Sequence, residues 1–201
     1  MSSYSEGQTH QLMDKLEAEG FTPDDITLLG QSKQLPGILS VLHGFAEIVP
    51  IRYVLKRLPF DPVKFIGNNW SIDEQVGKRS GDSLDAGNII GKAYLNEGET
   101  SINGEERLRR IKANPDDVQL DAEDFLALWQ EKGRKTLNML YEIKGISWLS
   151  FWGTILRLPD GDRIVLYLYR YDDGSWYWYY YLVGLDGWNA RYPSGVLASS
   201  N

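Results

Sequence analysis

Closely spaced carboxylates are the first feature of this sequence that could carry chemistry. Glycoside hydrolysis uses two Asp or Glu side chains on opposite sides of the scissile bond, one as acid and one as base or nucleophile. The chain offers four such pairs, Asp24/Asp25, Asp116/Asp117, Asp160/Asp162 and Asp172/Asp173. Each pair lies where a turn or a helix start uses an acid for structural reasons. We therefore assign no catalytic residue and favour a protein without enzymatic activity.

Metal ligands and nucleophiles are scarce in the chain. Its 201 residues include no cysteine, which excludes disulfides, thiolate zinc sites and cysteine nucleophiles. The two histidines are His10 and His43, and His43 lies beside an apolar helical stripe, where histidine more often packs than catalyses. We expect no metal site and no cofactor.

Basic side chains cluster in one predicted helix, at Arg107, Arg109, Arg110 and Lys112. The cluster could hold an anion, but a solvated helix face that pairs with the preceding Glu105 and Glu106 is the simpler interpretation. The segment GKRSGDS, residues 77–83, lacks the glycine spacing of a phosphate-binding loop. We interpret that segment as a solvated turn.

Aromatic side chains are concentrated between Phe151 and Tyr181, where three apolar runs are separated by two Asp-Gly pairs. Asp-Gly between β-branched and aromatic residues is a strong signal for a two-residue type I′ hairpin turn. The segment is therefore predicted to be a three-stranded antiparallel meander. With Asp173 and Gly174 at the centre of the second turn, Tyr169 pairs with Trp178.

Alternation of side chains along each strand then gives the meander an aromatic and an aliphatic face. We predict that the aromatic face binds a partner or ligand through Trp152, Tyr167, Tyr169, Tyr171, Trp176, Trp178 and Tyr180. The aliphatic face carries Leu166 and Leu168. A slip of one residue would exchange the faces of one strand. A type I turn begun by Pro159, with Gly161 in a bulge, is an alternative that leaves the place of Trp152 open.

This aromatic face has three interpretations. Helices could cover it, so that its rings belong to the core. It could be a surface for a protein partner or for self-association, because Trp, Tyr and Arg are enriched among residues that dominate interface energies. It could also be a stacking platform for carbohydrate, in a binding module or a glycan-acting enzyme. We prefer the protein partner, since Thr154 is the only convergent polar side chain that the register places there.

Net charge and hydropathy limit the other partner classes. The formal net charge of −7 gives no generic attraction to nucleic acid or to anionic lipid. No run approaches the roughly 20 apolar residues of a membrane helix, and the first residues lack the pattern of a secretory signal. We expect no nucleic-acid partner, no membrane association and a cytoplasmic location.

Capping residues and helical periodicity predict helices in much of the rest of the chain. Together with the meander, these helices predict an α+β fold. N-terminal and central helices pack with the C-terminal antiparallel meander, and Ile38, Leu42 and Phe45 join the core. The periodicity of residues 134–149 fits a strand and a helix equally well. We divide the chain into a helical N-terminal part (1–58), a connecting region with short strands (59–100), a helical pair (101–133) and the aromatic-rich sheet (134–201), packed as one unit.

Several motifs give the chain a resemblance to a family of bacterial proteins. They are Leu42 to Pro50, Asn69 to Ile72, Tyr94 to Glu99, Trp152-Gly153-Thr154, Asp160 to Arg163, Ser175 to Trp178, Leu185 to Trp188 and Pro193 to Ser199. The chain resembles this family over most of its length and departs from it between Arg134 and Trp148. The resemblance implies the same order of domains and a soluble bacterial protein. It implies no activity, since none is assigned to the family.

Overall fold

A computed structural model describes residues 5–32, 35–43, 52–77 and 79–198. The chain divides into two compact units, residues 1–51 and 52–201. Each unit is described by itself. The packing of the N-terminal helices with the central helices and the meander stays a prediction.

The first unit consists of three helices, α1 (Glu6–Ala18), α2 (Pro23–Gln31) and α3 (Leu35–Leu42). Capping boxes begin the first two, because the side chains of Ser5 and Thr22 accept hydrogen bonds from backbone N–H groups three residues later. Ile38 is exposed, which corrects its predicted burial. Since α3 is apolar on nearly every side, its periodicity does not tell which side is covered. The Leu42 side chain and Phe45 lie outside the described part of the chain.

The second unit contains the sheet and its helices. Its helices are α4 (Pro62–Phe65), α5 (Gly104–Lys112), α6 (Ala122–Gln130) and α7 (Lys135–Lys144), with 3-10 turns at Ala86–Asn88 and Lys132–Arg134. Its strands are β1 (Val54–Lys56), β2 (Ser71–Gln75), β3 (Ser83–Asp85), β4 (Ile89–Lys92), β5 (Ser101–Ile102), β6 (Val118–Gln119), β7 (Trp148–Ser150), β8 (Thr154–Arg157), β9 (Arg163–Arg170), β10 (Trp176–Leu182), β11 (Trp188–Asn189) and β12 (Ser194–Leu197).

Eight of these strands form one mostly antiparallel sheet. Its main path runs β2, β8, β9, β7, β12 and β4, with β10 added to β9 and β6 to β12. The pairs β1 with β3 and β5 with β11 form two small separate sheets. Helices beside a mainly antiparallel sheet confirm the α+β class. The ambiguous stretch after Gly133 is the helix α7, which the C′ residue Gly145 ends in the left-handed conformation.

The hairpin of β9 and β10 exists as predicted, but its register differs by one residue. Trp178 pairs with Leu168, and Tyr177 pairs with Tyr169. The reason is the turn, in which the Tyr171 carbonyl accepts from Gly174 N–H at 3.0 Å and Tyr171 N–H donates to Ser175 O at 2.8 Å. Asp172, Asp173 and Gly174 thus form a three-residue loop, a type I turn followed by a glycine bulge. Gly174 has a φ of 85°, whereas a type I′ turn would also need a positive φ at Asp173.

The hairpin of β8 and β9 uses the same loop. Gly161 N–H donates to Leu158 O at 3.0 Å, Leu158 N–H donates to Asp162 O at 2.8 Å, and Gly161 has a φ of 98°. This geometry confirms the alternative in which Pro159 begins a type I turn. Leu156 consequently pairs with Ile164 and faces the aliphatic core.

Buried side chains form a layer on each side of the sheet. The larger layer joins α6 and α7 to one face of the sheet and includes Phe125, Leu128, Leu137, Leu140, Leu149, Phe151, Leu156, Ile164, Leu166, Leu168 and Trp176. The smaller layer lies under α5 and consists of Val76, Tyr94, Leu108, Ile111, Trp152, Ile155, Val165, Val183, Trp188 and Val196. The predicted burial of Leu166 and Leu168 is therefore confirmed. None of the helices in the described ranges is long and apolar enough to cross a membrane.

Leu168 offers a test of the face assignment, because it is fully buried in the larger layer. We expect Leu168→Ala to lower the free energy of unfolding by about 2 to 5 kcal/mol, since it removes a packed side chain and leaves a cavity. Urea denaturation measures this loss. Ile143→Ala in α7, where the side chain is exposed, is the control and should change stability by less than about 0.5 kcal/mol. Equal effects of the two substitutions would contradict the assignment.

Gly174 offers a test of the loop. Its φ of 85° is left-handed, so Gly174→Ala should destabilise the protein by about 1 to 2 kcal/mol, the cost of that conformation for a residue with a Cβ atom. Gly184→Ala is the control, because its φ is not left-handed and an added Cβ meets nothing within 4 Å. A neutral Gly174→Ala would mean that the loop has another geometry.

Candidate functional site

The corrected register places a continuous group of tyrosines on one open part of the sheet. We call this group, with the tryptophan that packs against it, the tyrosine surface. It consists of Trp148, Tyr167, Tyr169, Tyr171, Tyr177, Tyr179, Tyr181 and Tyr192. Tyr171, Tyr179 and Tyr177 have exposed fractions of 59%, 55% and 44%. These fractions show that the rings next to the hairpin loop and along β10 face solvent, whereas Tyr167 of β9 is buried beneath its neighbours.

Ring contacts join the members of the tyrosine surface. Tyr167 lies at its centre, with ring centroids 3.9 Å from Trp148, 5.7 Å from Tyr169 and 6.3 Å from Tyr179. Tyr177 extends the group along β10, 5.8 Å from Tyr169. The Trp148 ring is stacked on Tyr167, and such offset pairs contribute about 0.5 to 1.5 kcal/mol beyond the burial of area. The surface is therefore a connected layer of rings on a rigid sheet.

The predicted site residues separate into three groups. Tyr167, Tyr169 and Tyr171 belong to the tyrosine surface, as the predicted aromatic face requires. Trp176, Trp178 and Tyr180 point to the opposite face, which corrects that prediction, because the three-residue loop shifts β10 by one position. Trp152 is fully buried in the smaller layer.

The core contacts of the second group are specific. Trp176 donates its indole N–H to Asn138 Oδ1 of α7 at 3.0 Å. The Trp178 ring lies 4.9 Å from Phe65, and the Tyr180 ring lies 5.3 Å from Trp70. Tyr177, Tyr179 and Tyr181 take the places on the open face that the sequence interpretation gave to these three residues. The alternation of side chains along β10 predicts that its odd- and even-numbered residues lie on opposite faces. Only the type of turn decides which of these two sets faces solvent.

Helix α5 covers the rest of the same sheet face and so sets the limit of the tyrosine surface. Gly104 permits the close approach, because a Cβ atom there would lie 2.1 Å from Val183 O. Leu108 and Ile111 then belong to the same buried layer as Val165 and Trp152. Beyond Tyr181, whose ring lies 5.1 Å from that of Trp188, the face is open.

Arg107 holds this cover in place, and sequence reasoning missed its role. The side chain is fully buried, with its guanidinium over the ring of Trp188 at 5.0 Å. It donates to Ala93 O at 2.7 Å and to the backbone carbonyls of Tyr192 and Asn189. Burial lowers the pKa of Arg107 to about 10, so it remains a cation at neutral pH. The loop that carries Tyr192 is thereby fixed beside Trp148.

The other bases of α5 are paired, but only in part as the simpler interpretation predicts, because Glu105 binds Arg163 of β9. Arg109 and Arg110 bind Glu106, and Arg110 also binds Glu99. Lys112 binds Glu74 at 2.7 Å. The helix therefore offers ion pairs in place of a free cluster of cations, with Arg107 buried among carbonyl groups.

A second polar cluster lies away from the tyrosine surface. Arg57 donates to Asp121 and Asp124, and Arg79 donates to Asp124 Oδ2 at 3.2 Å. Asp124 is fully buried, and desolvation raises its pKa despite these cations. Arg79 is thus half-buried in an ion cluster, whereas the other described residues of 77–83 are exposed, as the interpretation of a solvated turn requires. The cluster ties β1 and this segment to the start of α6.

The closely spaced carboxylates have structural roles. Asp25 accepts from Thr22, Asp117 from Lys92 and Tyr94, and Asp160 and Asp173 from backbone N–H groups of their turns. In the described ranges no group of His, Asp or Glu side chains is arranged to hold a metal ion.

A cleft of about 720 Å³ adjoins Trp148 at the edge of the tyrosine surface. It lies between β4, the end of α7 and the loop before β12, with Arg191 and Ser147 in its lining. Lys144 also lines the cleft, and its Nζ donates a hydrogen bond to Ile89 O at 2.8 Å. The cleft brings polar groups next to an aromatic ring.

The pKa of the Tyr167 hydroxyl measures how closely the rings of the tyrosine surface pack around it. Burial raises the pKa of its hydroxyl to about 12, with further contributions from the neighbouring tyrosines. A raised pKa means that the folded state holds the proton more tightly, so this stabilising contribution is complete below about pH 10 and lost as the pH rises through 12. We expect the ultraviolet difference titration of wild type minus Tyr167→Phe to show one group with a pKa near 12. A difference spectrum that titrates near pH 10 would contradict the burial.

Comparison of the chain with protein-family models, with curated proteins and with solved structures finds no match.

Proposed function

We propose that this protein binds a protein partner through the tyrosine surface and has no catalytic activity of its own. The observation that carries the proposal is the exposure of Tyr171, Tyr177 and Tyr179 on a face whose other half is covered by α5. An apolar ring layer left open on a rigid sheet is typical of an interaction site.

The size of the exposed layer supports this interpretation. The exposed fractions of its tyrosines correspond to about 500 Å² if each residue contributes about 200 Å² when fully exposed. Patches of this size are among the largest on ordinary monomers and are often functional. A standard interface buries about 800 Å² per partner, so the tyrosine surface would form its centre and neighbouring residues its rim.

The composition supports a protein partner. Tyrosine offers a large ring with few rotatable bonds and a hydroxyl that donates and accepts, which is why it dominates many protein recognition surfaces. The charged rim is of mixed sign, with exposed Asp172 and Asp173 at the hairpin loop and exposed Arg191 near Tyr192. Platforms for single-stranded nucleic acid are instead lined with Lys and Arg.

Carbohydrate binding is the second candidate function. The cleft beside Trp148 favours it, because Arg191 and Ser147 place polar groups next to an aromatic ring. The rings of β9 and β10 favour the protein partner, since they extend well beyond that cleft. A glycan array with wild type and Trp148→Ala decides between the two.

The double variant Tyr177→Ala/Tyr179→Ala tests the proposal. Affinity capture from a lysate, followed by calorimetry with each purified candidate, should identify a partner whose affinity falls at least tenfold in the double variant. Each substitution removes a cross-strand ring pair that contributes about 0.2 to 1 kcal/mol, so the fold is retained. Tyr141→Ala is the matched control, because this partly exposed tyrosine belongs to α7 and lies outside the tyrosine surface.

Two outcomes would contradict the proposal. One is a partner that the double variant still binds with wild-type affinity. The other is a glycan that binds wild type and is lost in Trp148→Ala while no protein partner depends on Tyr177 and Tyr179.

A further inference from the structure

The outer edge of β10 is the unusual feature of this sheet. Across the described ranges, β10 pairs only with β9, in seven consecutive residue pairs without a bulge. Its sequence, WYWYYYL, contains no charge and no proline. Edge strands of monomers normally carry such features, because an open edge offers unpaired N–H and C=O groups to any other strand.

The other edges of the same sheet carry these protections. Strand β2 contains Asp73 and Glu74 and has an irregularity in its pairing between Ile72 and Glu74. Strand β4 ends in Lys92, and β6 has only two residues. The contrast distinguishes β10 as the edge of this sheet that is open to a further strand.

The hydrogen bonds define which groups are available at that edge. Tyr171 N–H bonds Ser175 O, and Val183 N–H bonds Arg163 O, so the odd-numbered residues of β10 exchange their hydrogen bonds with β9. The backbone groups of Trp176, Trp178, Tyr180 and Leu182 therefore point outward. They present a regular row of donors and acceptors that an antiparallel strand would satisfy.

We propose that the strand covering this edge is β10 of a second copy of the chain, paired antiparallel about a two-fold axis through Tyr179. This deepens the proposed function, on which it rests, by naming the partner. An edge paired with its own copy about a two-fold axis is complementary to itself, and uncharged side chains create no repulsion. The axis through the middle of the strand gives the largest number of hydrogen bonds. The two tyrosine surfaces then join into one.

The contact between the rings of Tyr179 and Tyr180 affects the affinity between the two copies. The rings of Tyr179 and Tyr180 are parallel, with centroids 4.8 Å apart, although neighbouring side chains of a strand start on opposite faces. Because β9 occupies the inner edge, the two rings meet beside the outer edge. One ring must rotate away before a second strand binds, and the free energy that this rotation costs weakens the association.

Because the chain contains no cysteine, a single introduced thiol can test the proposed pairing of β10 with its copy directly. Tyr179→Cys places a single thiol on the proposed axis, where its copy lies at the short distance of a directly opposed pair that a disulfide can span. Mild oxidation should give a covalent dimer. Tyr171→Cys is the matched control, because that side chain is equally exposed but lies beyond the end of β10, and it should stay monomeric.

Sedimentation equilibrium of the full chain from low micromolar to near-millimolar concentration gives the second readout. Wild type should associate, whereas Tyr179→Lys, which adds a charge to the edge, and Tyr180→Pro, which removes one outward N–H, should remain monomeric. Circular dichroism shows whether each variant is folded, and either folded variant suffices.

A wild-type protein that stays monomeric at every concentration, or equal cross-linking of Tyr171→Cys and Tyr179→Cys, would overturn the inference. The proposed function would survive that result if capture of a different protein still depended on Tyr177 and Tyr179. It would fail as well if the double alanine variant had no effect on any interaction.

Discussion

The three-residue loop of Asp172, Asp173 and Gly174 is the constraint on which the site depends. Its single left-handed residue sets the register of β10 against β9, and that register decides which half of an almost wholly aromatic strand faces the core. Tryptophans 176 and 178 are directed inward and tyrosines 177, 179 and 181 outward. A two-residue turn in the same place would exchange these two sets and give a different surface.

The second constraint is the cover over the rest of the same face. Helix α5 can approach the sheet because residue 104 is glycine, and Arg107 joins it to the carbonyl groups of the loop that carries Tyr192. The buried cation has three carbonyl acceptors and two tryptophan rings around it in place of a carboxylate. Local packing at α5 thus fixes both the boundary of the tyrosine surface and the position of one of its members.

Features encoded by neighbouring residues could be predicted from the sequence. The hairpins at the two Asp-Gly pairs and the burial of Leu166 and Leu168 follow from local patterns. The register could not be decided, because Asp-Gly fits both a two-residue and a three-residue loop. The burial of Arg107 and the pairing of Arg57 with Asp124 depend on groups that are distant in the sequence, such as Tyr192 for Arg107, and no local signal for them exists. The helix α7 was undecided because its apolar positions satisfy both periods.

The account has one central claim, that Tyr177, Tyr179 and Tyr181 of β10 face solvent and that its tryptophans face the core. Hydroxyl-radical footprinting of the dilute protein, read by mass spectrometry, tests it residue by residue, because oxidation requires contact of the side chain with solvent. The account predicts rapid oxidation of Tyr177 and Tyr179 and protection of Trp176 and the fully buried Trp152. Rapid oxidation of Trp176 with protection of Tyr177 and Tyr179 would contradict it, since that result requires the opposite register.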